Sequence, residues 1–432
     1  MNQKPTRVRL GILLLLFVSV VINYMDRSNI SIAAPLLGKD LKLDSVHMGL
    51  IFSAFGWAYA ILQIPGGFVL DKIGSRFMYL ITLGLWSLAT LLQGTVKGFG
   101  ALFGLRLGLG VFEAPAFPTN NRVVTTWFPE KERASAIGFY TSGQFVGLAF
   151  LTPVLVYLQT KFGWQSLFYI TGVIGIVWAI IWVLLYRDPG KSKRINQAEL
   201  DYIREGGGLA DSLDKKESQN KAKFSDLKYV FKSRKLWGVF LGQFAVTSTL
   251  WFFLTWFPTY LVKYRGLDFI KAGFLSSLPF LAAFVGVLLS GFISDFLIRR
   301  GATTGTARKT PVILGLLLSI CIVGANFVNS PALIILFMTI AFLGNGLASI
   351  TWVFVSTLSP AKLVGVTGGV FNFVGNLSGI IIPLVIGFLV KGGSFAPAII
   401  FIAVIALCGA LSYIFLVGKV ERIATEEEKK IA

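Results

Sequence analysis

The stretch LGILLLLFVSVVINYMDRSNISIAA, residues 10–34, decides the fold class. A helix needs about 20 mostly apolar residues to cross a bilayer, and this run, whose span we place at 10–36, supplies them. It carries Asp26 and Arg27, and the apolar pattern continues past both. Lys4, Arg7 and Arg9 precede it in the manner of a secretory leader, but a charged pair inside the run argues against cleavage. We read it as a retained spanning helix with ionisable groups inside the membrane.

Working outward, runs of the same kind fall at 48–70, 77–96, 101–127, 134–159, 164–186, 236–262, 269–295, 310–328, 331–358, 363–390 and 395–417. Hydrophobic residues make up 55% of the 432 residues and charged ones 14%, against about 25% charged in a soluble domain. The mean hydropathy is +0.73. These values predict an all-α membrane protein with twelve transmembrane helices in two six-helix bundles. The polar stretch 187–235 separates the halves and holds 13 Lys or Arg. We expect an N-terminal half at 1–186, a linker at 187–235 with a short amphipathic helix near 196–205, a C-terminal half at 236–418 and a tail at 419–432. The DPGKS at 188–192 lacks the first glycine of a phosphate loop and follows no strand, so it reads as solvated linker.

The formal charge of +19 would suggest nucleic acid in a soluble protein. Here the 40 Lys and Arg residues are distributed by topology. The termini and the loops after even-numbered spans hold 29, the opposite loops hold 8, and Arg27, Arg106 and Arg122 lie within spans. The positive-inside rule then places both termini in the cytoplasm of a cell-membrane protein, with the basic loops facing anionic lipid. We expect no nucleic-acid partner. One histidine, His47, and two cysteines inside apolar runs, Cys321 and Cys408, leave no material for a metal site, a disulfide framework or a histidine-dependent enzyme.

An ionisable residue near mid-bilayer costs at least about 2.5–3.5 kcal/mol and marks function by default. Asp26, Arg27, Arg106 and Glu113 are such residues. Arg106 and Glu113 are two helical turns apart and share a face, whereas adjacent Asp26 and Arg27 point about 100° apart. The four could be mutual ion pairs that only hold helices together. They could also combine an anion receptor with proton acceptors. A carboxyl in a low-dielectric cavity can hold a proton at neutral pH, and arginine stays charged and binds carboxylates bidentately. Asn23, Tyr24, Tyr59, Gln144, Gln243, Ser349, Thr351, Asn372 and Asn376 add neutral donors and acceptors of the kind a polyol requires.

Several blocks bear a family resemblance. GFVLDKIGSR at 67–76 resembles the loop signature of the major facilitator superfamily, with Gly67, Asp71, Gly74 and Arg76 in place and Lys72 where Arg is commoner. GFISD at 291–295 echoes it at the matching place in the second half. NYMDRSNISIA at 23–33, FSAFGWAYAILQIPGG at 52–67, EAPAFPTNNR beginning at 113, ARKTP at 307–311 and GGVFNFVGN at 368–376 resemble its anion:cation symporter family, and within it the bacterial D-galactonate:proton symporters. The resemblance implies alternating access and import of a hexonate with protons; we expect no cofactor, and nothing in the sequence demands more than a monomer. Glucarate, galactarate or a hexuronate is the alternative cargo, and organic-phosphate exchange the alternative mechanism on the same fold. It further implies that Arg27, Tyr24, Tyr59, Gln144, Gln243, Ser349, Thr351, Trp352 and Asn372 contact the sugar acid. Asp26 and Glu113 would carry protons with Arg106 as their partner, and Asp71 and Arg76 would serve gating. Pro115 and Pro118 are expected to interrupt span four, since proline frees a backbone carbonyl and kinks a helix.

Overall fold

The computed structural model describes residues 4–208, 227–359 and 363–423. Twelve of its helical segments are long and apolar enough to span a membrane. The described residues divide between two compact units: one lies within Met1–Leu43 and Ala54–Glu217, the other within Asp44–Ser53 and Ser218–Ala432.

The first spans are α1 (Val8–Asp40) and α2 (Ser45–Gln93). The two runs expected at 48–70 and 77–96 are two spans within the range of α2, Ser45–Leu62 and Lys72–Gln93, and the helix is interrupted at Gly74. There φ is +75°, a conformation that side chains with a Cβ rarely adopt. Asp44 precedes α2 and accepts from the backbone N–H of His47, which holds its carboxyl below the ordinary range.

Span four is divided, as Pro115 and Pro118 predict: α3 (Phe99–Glu113) ends just before Pro115 and α4 (Ala116–Trp127) follows. Span five comprises α5 (Glu130–Val146), a π-helical turn at Gly147–Leu151 and α6 (Thr152–Phe162). Gly143 and Gly147 allow this span to lie directly on α1. A Cβ at either would come within 2.9 Å of Phe17 O or 3.0 Å of Val21 O. Without a hydrophobic drive between helices in lipid, such close backbone approach is what packs them. Span six is α7 (Trp164–Leu185).

The linker begins with the expected amphipathic helix, α8 (Gln197–Glu205), capped by Asn196, whose side chain accepts from Glu199 N at 2.9 Å. The Glu199 carboxylate is fully buried. It accepts from Thr6 Oγ1 (2.6 Å), from the Val8 and Arg9 backbone amides (3.0 and 3.2 Å) and from the Arg9 guanidinium (3.0 Å). It thereby caps the first turn of α1, where amide donors have no helical partner. Arg9 also pairs with Glu132 at the start of α5. Glu199 thus ties the linker helix to the start of α1, and Arg9 carries the link on to Glu132 of α5.

In the second unit, α9 (Leu227–Lys232) leads into α10 (Arg234–Thr255). The run expected to continue to 262 does so only after a break. Pro258 lacks an N–H, and the chain passes through the short α11 (Phe257–Thr259) and a π turn at Tyr260–Tyr264. Then follow α12 (Phe269–Arg299), α13 (Thr304–Ser319), α14 (Pro331–Leu347), α15 (Trp352–Leu358), α16 (Val364–Leu389) and α17 (Ala396–Phe415). Gly346 abuts the Ala283 carbonyl and Gly344 the Gly315 carbonyl, so α14 lies against both α12 and α13 with no room for a Cβ.

Candidate functional site

The first unit places a charged cluster on α1 and α3. Asp26, Arg27, Arg106 and Glu113 are between 0% and 7% exposed. In lipid, uncompensated burial of four such groups would be prohibitive, so their partners are informative.

Arg27 and Glu113 form the cluster's ion pair, with Nε donating to Oε1 at 2.5 Å. The guanidinium of Arg27 also sits in an aromatic cage. Its central carbon lies 4.9 Å from the Tyr24 ring, 4.8 Å from Phe55 and 4.9 Å from Tyr59. Desolvated cation–π contacts of this kind are worth about 2 kcal/mol or more. Tyr24 lies one turn before Arg27 on α1. Phe55 and Tyr59 come from α2, where their rings stack at 5.1 Å. Gly110 makes the arrangement possible, because a Cβ there would run into the Phe55 carbonyl.

Arg106 pairs with neither acid. It is two turns from Glu113, about 10 Å along the helix axis, and the cation that reaches Glu113 comes from α1. Arg106 lies 5.4 Å from the Phe55 ring, and its Nε and Nη1 have no hydrogen-bond partner among the described residues. A buried guanidinium with unused donors is suited to binding an anion.

Asp26 has a different setting. Oδ2 accepts from the indole Nε1 of Trp86 at 3.1 Å. On the other side Asn29 Nδ2 lies 3.5 Å from Oδ1, a weak contact, and donates at 2.6 Å to Thr171. Sequence reading singled out none of Trp86, Phe55, Asn29 and Thr171. Trp86 stands in an otherwise apolar run, 60 residues from the acid it contacts, and no local signal links the two.

Other expected residues are placed as follows. Gln144 is on α5, partly exposed. Arg76 donates to the Val183 carbonyl at 3.1 and 2.8 Å near the end of α7. The Asp71 side chain lies outside the described residues. The second unit supplies a neutral polar set. Thr351 Oγ1 donates to Gln243 Oε1 at 2.7 Å, joining a 3-10 turn at Ala348–Thr351 to α10. Asn372 lies on α16 beside Asn376, whose amide donates to the Asn372 carbonyl at 2.9 Å. Gly375 lets Gln243 lie close to α16, since a Cβ would be 3.0 Å from Gln243 Cγ. Trp352 is half exposed and meets Phe371 edge-on at 4.7 Å, and Ser349 is partly exposed.

Twelve apolar spans, a charged cluster within them and a neutral polar set in the second unit fit a multi-pass membrane transporter. Residues 16–383 match the Major Facilitator Superfamily, and the chain belongs to it. It is 56% identical over 97% of its length to the D-galactonate transporter of Escherichia coli O6:H1, covering 98% of that protein. It is 42% identical to a probable galactarate/D-glucarate transporter of Bacillus subtilis (99% and 96% covered) and 31% identical to a hexuronate transporter of the same species (98% and 99%). Among solved structures it resembles a bacterial homologue of the lysosomal transporter Spinster, in an inward-facing and occupied conformation, with TM-score 0.73 at 19% identity over 95% and 97% of the two chains. The nucleoside transporter NupG gives 0.70 at 14% identity over 96% and 100%. At those identities the solved structures speak to the fold alone.

Proposed function

We propose that this protein imports a sugar-acid anion, with D-galactonate the first choice, by proton symport through alternating access. The observation that carries this reading is the caged, buried Arg27–Glu113 ion pair. In a low-dielectric setting the pair is stable only while both members are charged. Protonation of Glu113 frees Arg27 to bind the substrate carboxylate, and loss of the proton restores the pair and expels the anion. Anion and proton therefore move together. Arg106 supplies a second cation, Asp26 a second proton acceptor, and Tyr24, Tyr59 and Gln144 hydrogen bonds. Gln243, Ser349, Thr351, Trp352 and Asn372 bind the hydroxyls, which donate and accept alike.

The proton gradient drives transport, and no nucleotide, metal or catalytic step is required. One proton with a monovalent anion moves no net charge, while protonation of both carboxyls makes the cycle electrogenic. We place the protein in the cell membrane as a monomer with both termini in the cytoplasm and Asp71 and Arg76 in gating. The relatives named for galactarate and D-glucarate support a second reading, in which the cargo is a dicarboxylate and Arg106 holds its second carboxylate.

Uptake of radiolabelled D-galactonate into proteoliposomes under an inward proton gradient tests the proposal. Accumulation that a protonophore abolishes supports it. Uptake of glucarate or glucuronate alone changes the cargo. Exchange with inorganic phosphate and no response to sugar acids overturns the mechanism.

A further inference from the structure

Asp26 differs from Glu113 in having no ion-pair partner within reach among the described residues, although the charges of Glu113 and Arg106 both act on it. Its Oδ2 accepts from Trp86, which is fully buried, and the Thr171 side chain also acts on the carboxyl. The indole has no freedom to turn. It meets Tyr79 edge-on at 6.3 Å, Tyr79 stacks on Trp182 at 4.4 Å, and Trp182 stacks on Tyr186 at 4.6 Å. All four rings are at most 1% exposed. This column from α2 and α7 fixes the direction of the Trp86 N–H.

An indole nitrogen donates and never accepts. It therefore treats the two oxygens and the two protonation states of Asp26 differently. With the N–H aimed at Oδ2, that oxygen is the better acceptor and Oδ1 the favoured seat for a proton on Asp26. Oδ1 lies 3.5 Å from Asn29 Nδ2, too long a contact to hold it as an acceptor, and the amide donates to Thr171 instead. We infer that Trp86 is a positioning residue for proton coupling: its N–H reserves Oδ2 of Asp26 as an acceptor, directs the proton to Oδ1 on the Asn29 side, and sets the pH at which Asp26 loads. This rests on the reading of Asp26 as a proton carrier.

The test replaces Trp86 in the full-length, reconstituted protein with 3-benzothienylalanine, which keeps both rings and exchanges N–H for sulfur. Trp86→Phe serves as a second variant. Infrared difference spectra are recorded through a pH titration. The protonated-carboxyl C=O band missing in Asp26→Asn identifies Asp26. Its midpoint is expected to move about one pH unit to the alkaline side when the donor is lost, since hydrogen bonds to charged groups are of that strength. The pH profile of proton-driven uptake should move with it. An unchanged Asp26 band in the benzothienyl variant overturns the inference and leaves the proposed function standing. If Asp26→Asn removes no titrating band, Asp26 is not a proton carrier and both readings of it fail.

Discussion

The polar centres of the two units are built on opposite principles. In the first, charges are buried together on α1 and α3 and stabilised by an ion pair, an indole and a cage of three rings. In the second, the expected contact residues are neutral: Gln243, Ser349, Thr351, Trp352 and Asn372. The difference suggests a division of labour. Charges in a low dielectric respond strongly to a proton, because each change of state alters large Coulomb terms. Neutral amides and hydroxyls do not respond to pH, but they can read the arrangement of hydroxyls on a sugar.

The sharpest way to break this comparison is Arg27→Ala. It leaves Glu113 buried and uncompensated, a change of about 3–5 kcal/mol, so proton-driven uptake should fall by ~100-fold or more at unchanged expression. Arg27→Lys should rescue poorly, because a lysine is a point charge without the planar fork. Uptake above about a tenth of the native rate in Arg27→Ala would remove this residue from anion binding.

Next comes Glu113→Gln. The neutral amide mimics the protonated acid, so accumulation against a gradient should be lost while the sugar acid still raises the melting temperature. Persisting accumulation would transfer coupling elsewhere. In the second unit, Thr351→Val removes a hydroxyl bonded to Gln243. One hydrogen bond is worth about 0.5–1.5 kcal/mol, so KM should rise about 2- to 12-fold with the pH profile unmoved. A displaced pH profile would erase the distinction between the units. The smallest effect on transport is expected from Glu199→Gln, which weakens the cap on α1 and the tie to Arg9. It should lower the melting temperature by several degrees and leave KM within about twofold.

Much of the fold was legible because membrane spans are long and their apolar runs are not easily mistaken. The break in span four was equally plain from Pro115 and Pro118, as was the amphipathic helix with Asn196 at its start. The second and third spans were legible as separate runs, with the break at Gly74 between them, whereas Pro258 ends α10 earlier than expected. Asp26, Arg27, Arg106 and Glu113 stood out because charge in an apolar run is rare. Their pairing did not. Shared position on one helix face directed attention to Arg106 and Glu113, whereas the side chain hydrogen-bonded to Glu113 comes from α1.

The sequence by itself determined that this chain is a polytopic helical membrane protein and which of its charges lie inside the apolar spans, since both follow from the cost of moving polar groups into hydrocarbon. Only the tertiary structure decided which charge answers which: Arg27 with Glu113, Asp26 with Trp86, and Arg106 with unused donors. Those pairings depend on how α1, α2 and α3 approach one another. The approach of α3 to α2 is set by Gly110, and that of span five to α1 by Gly143 and Gly147, whose effect is the absence of a side chain.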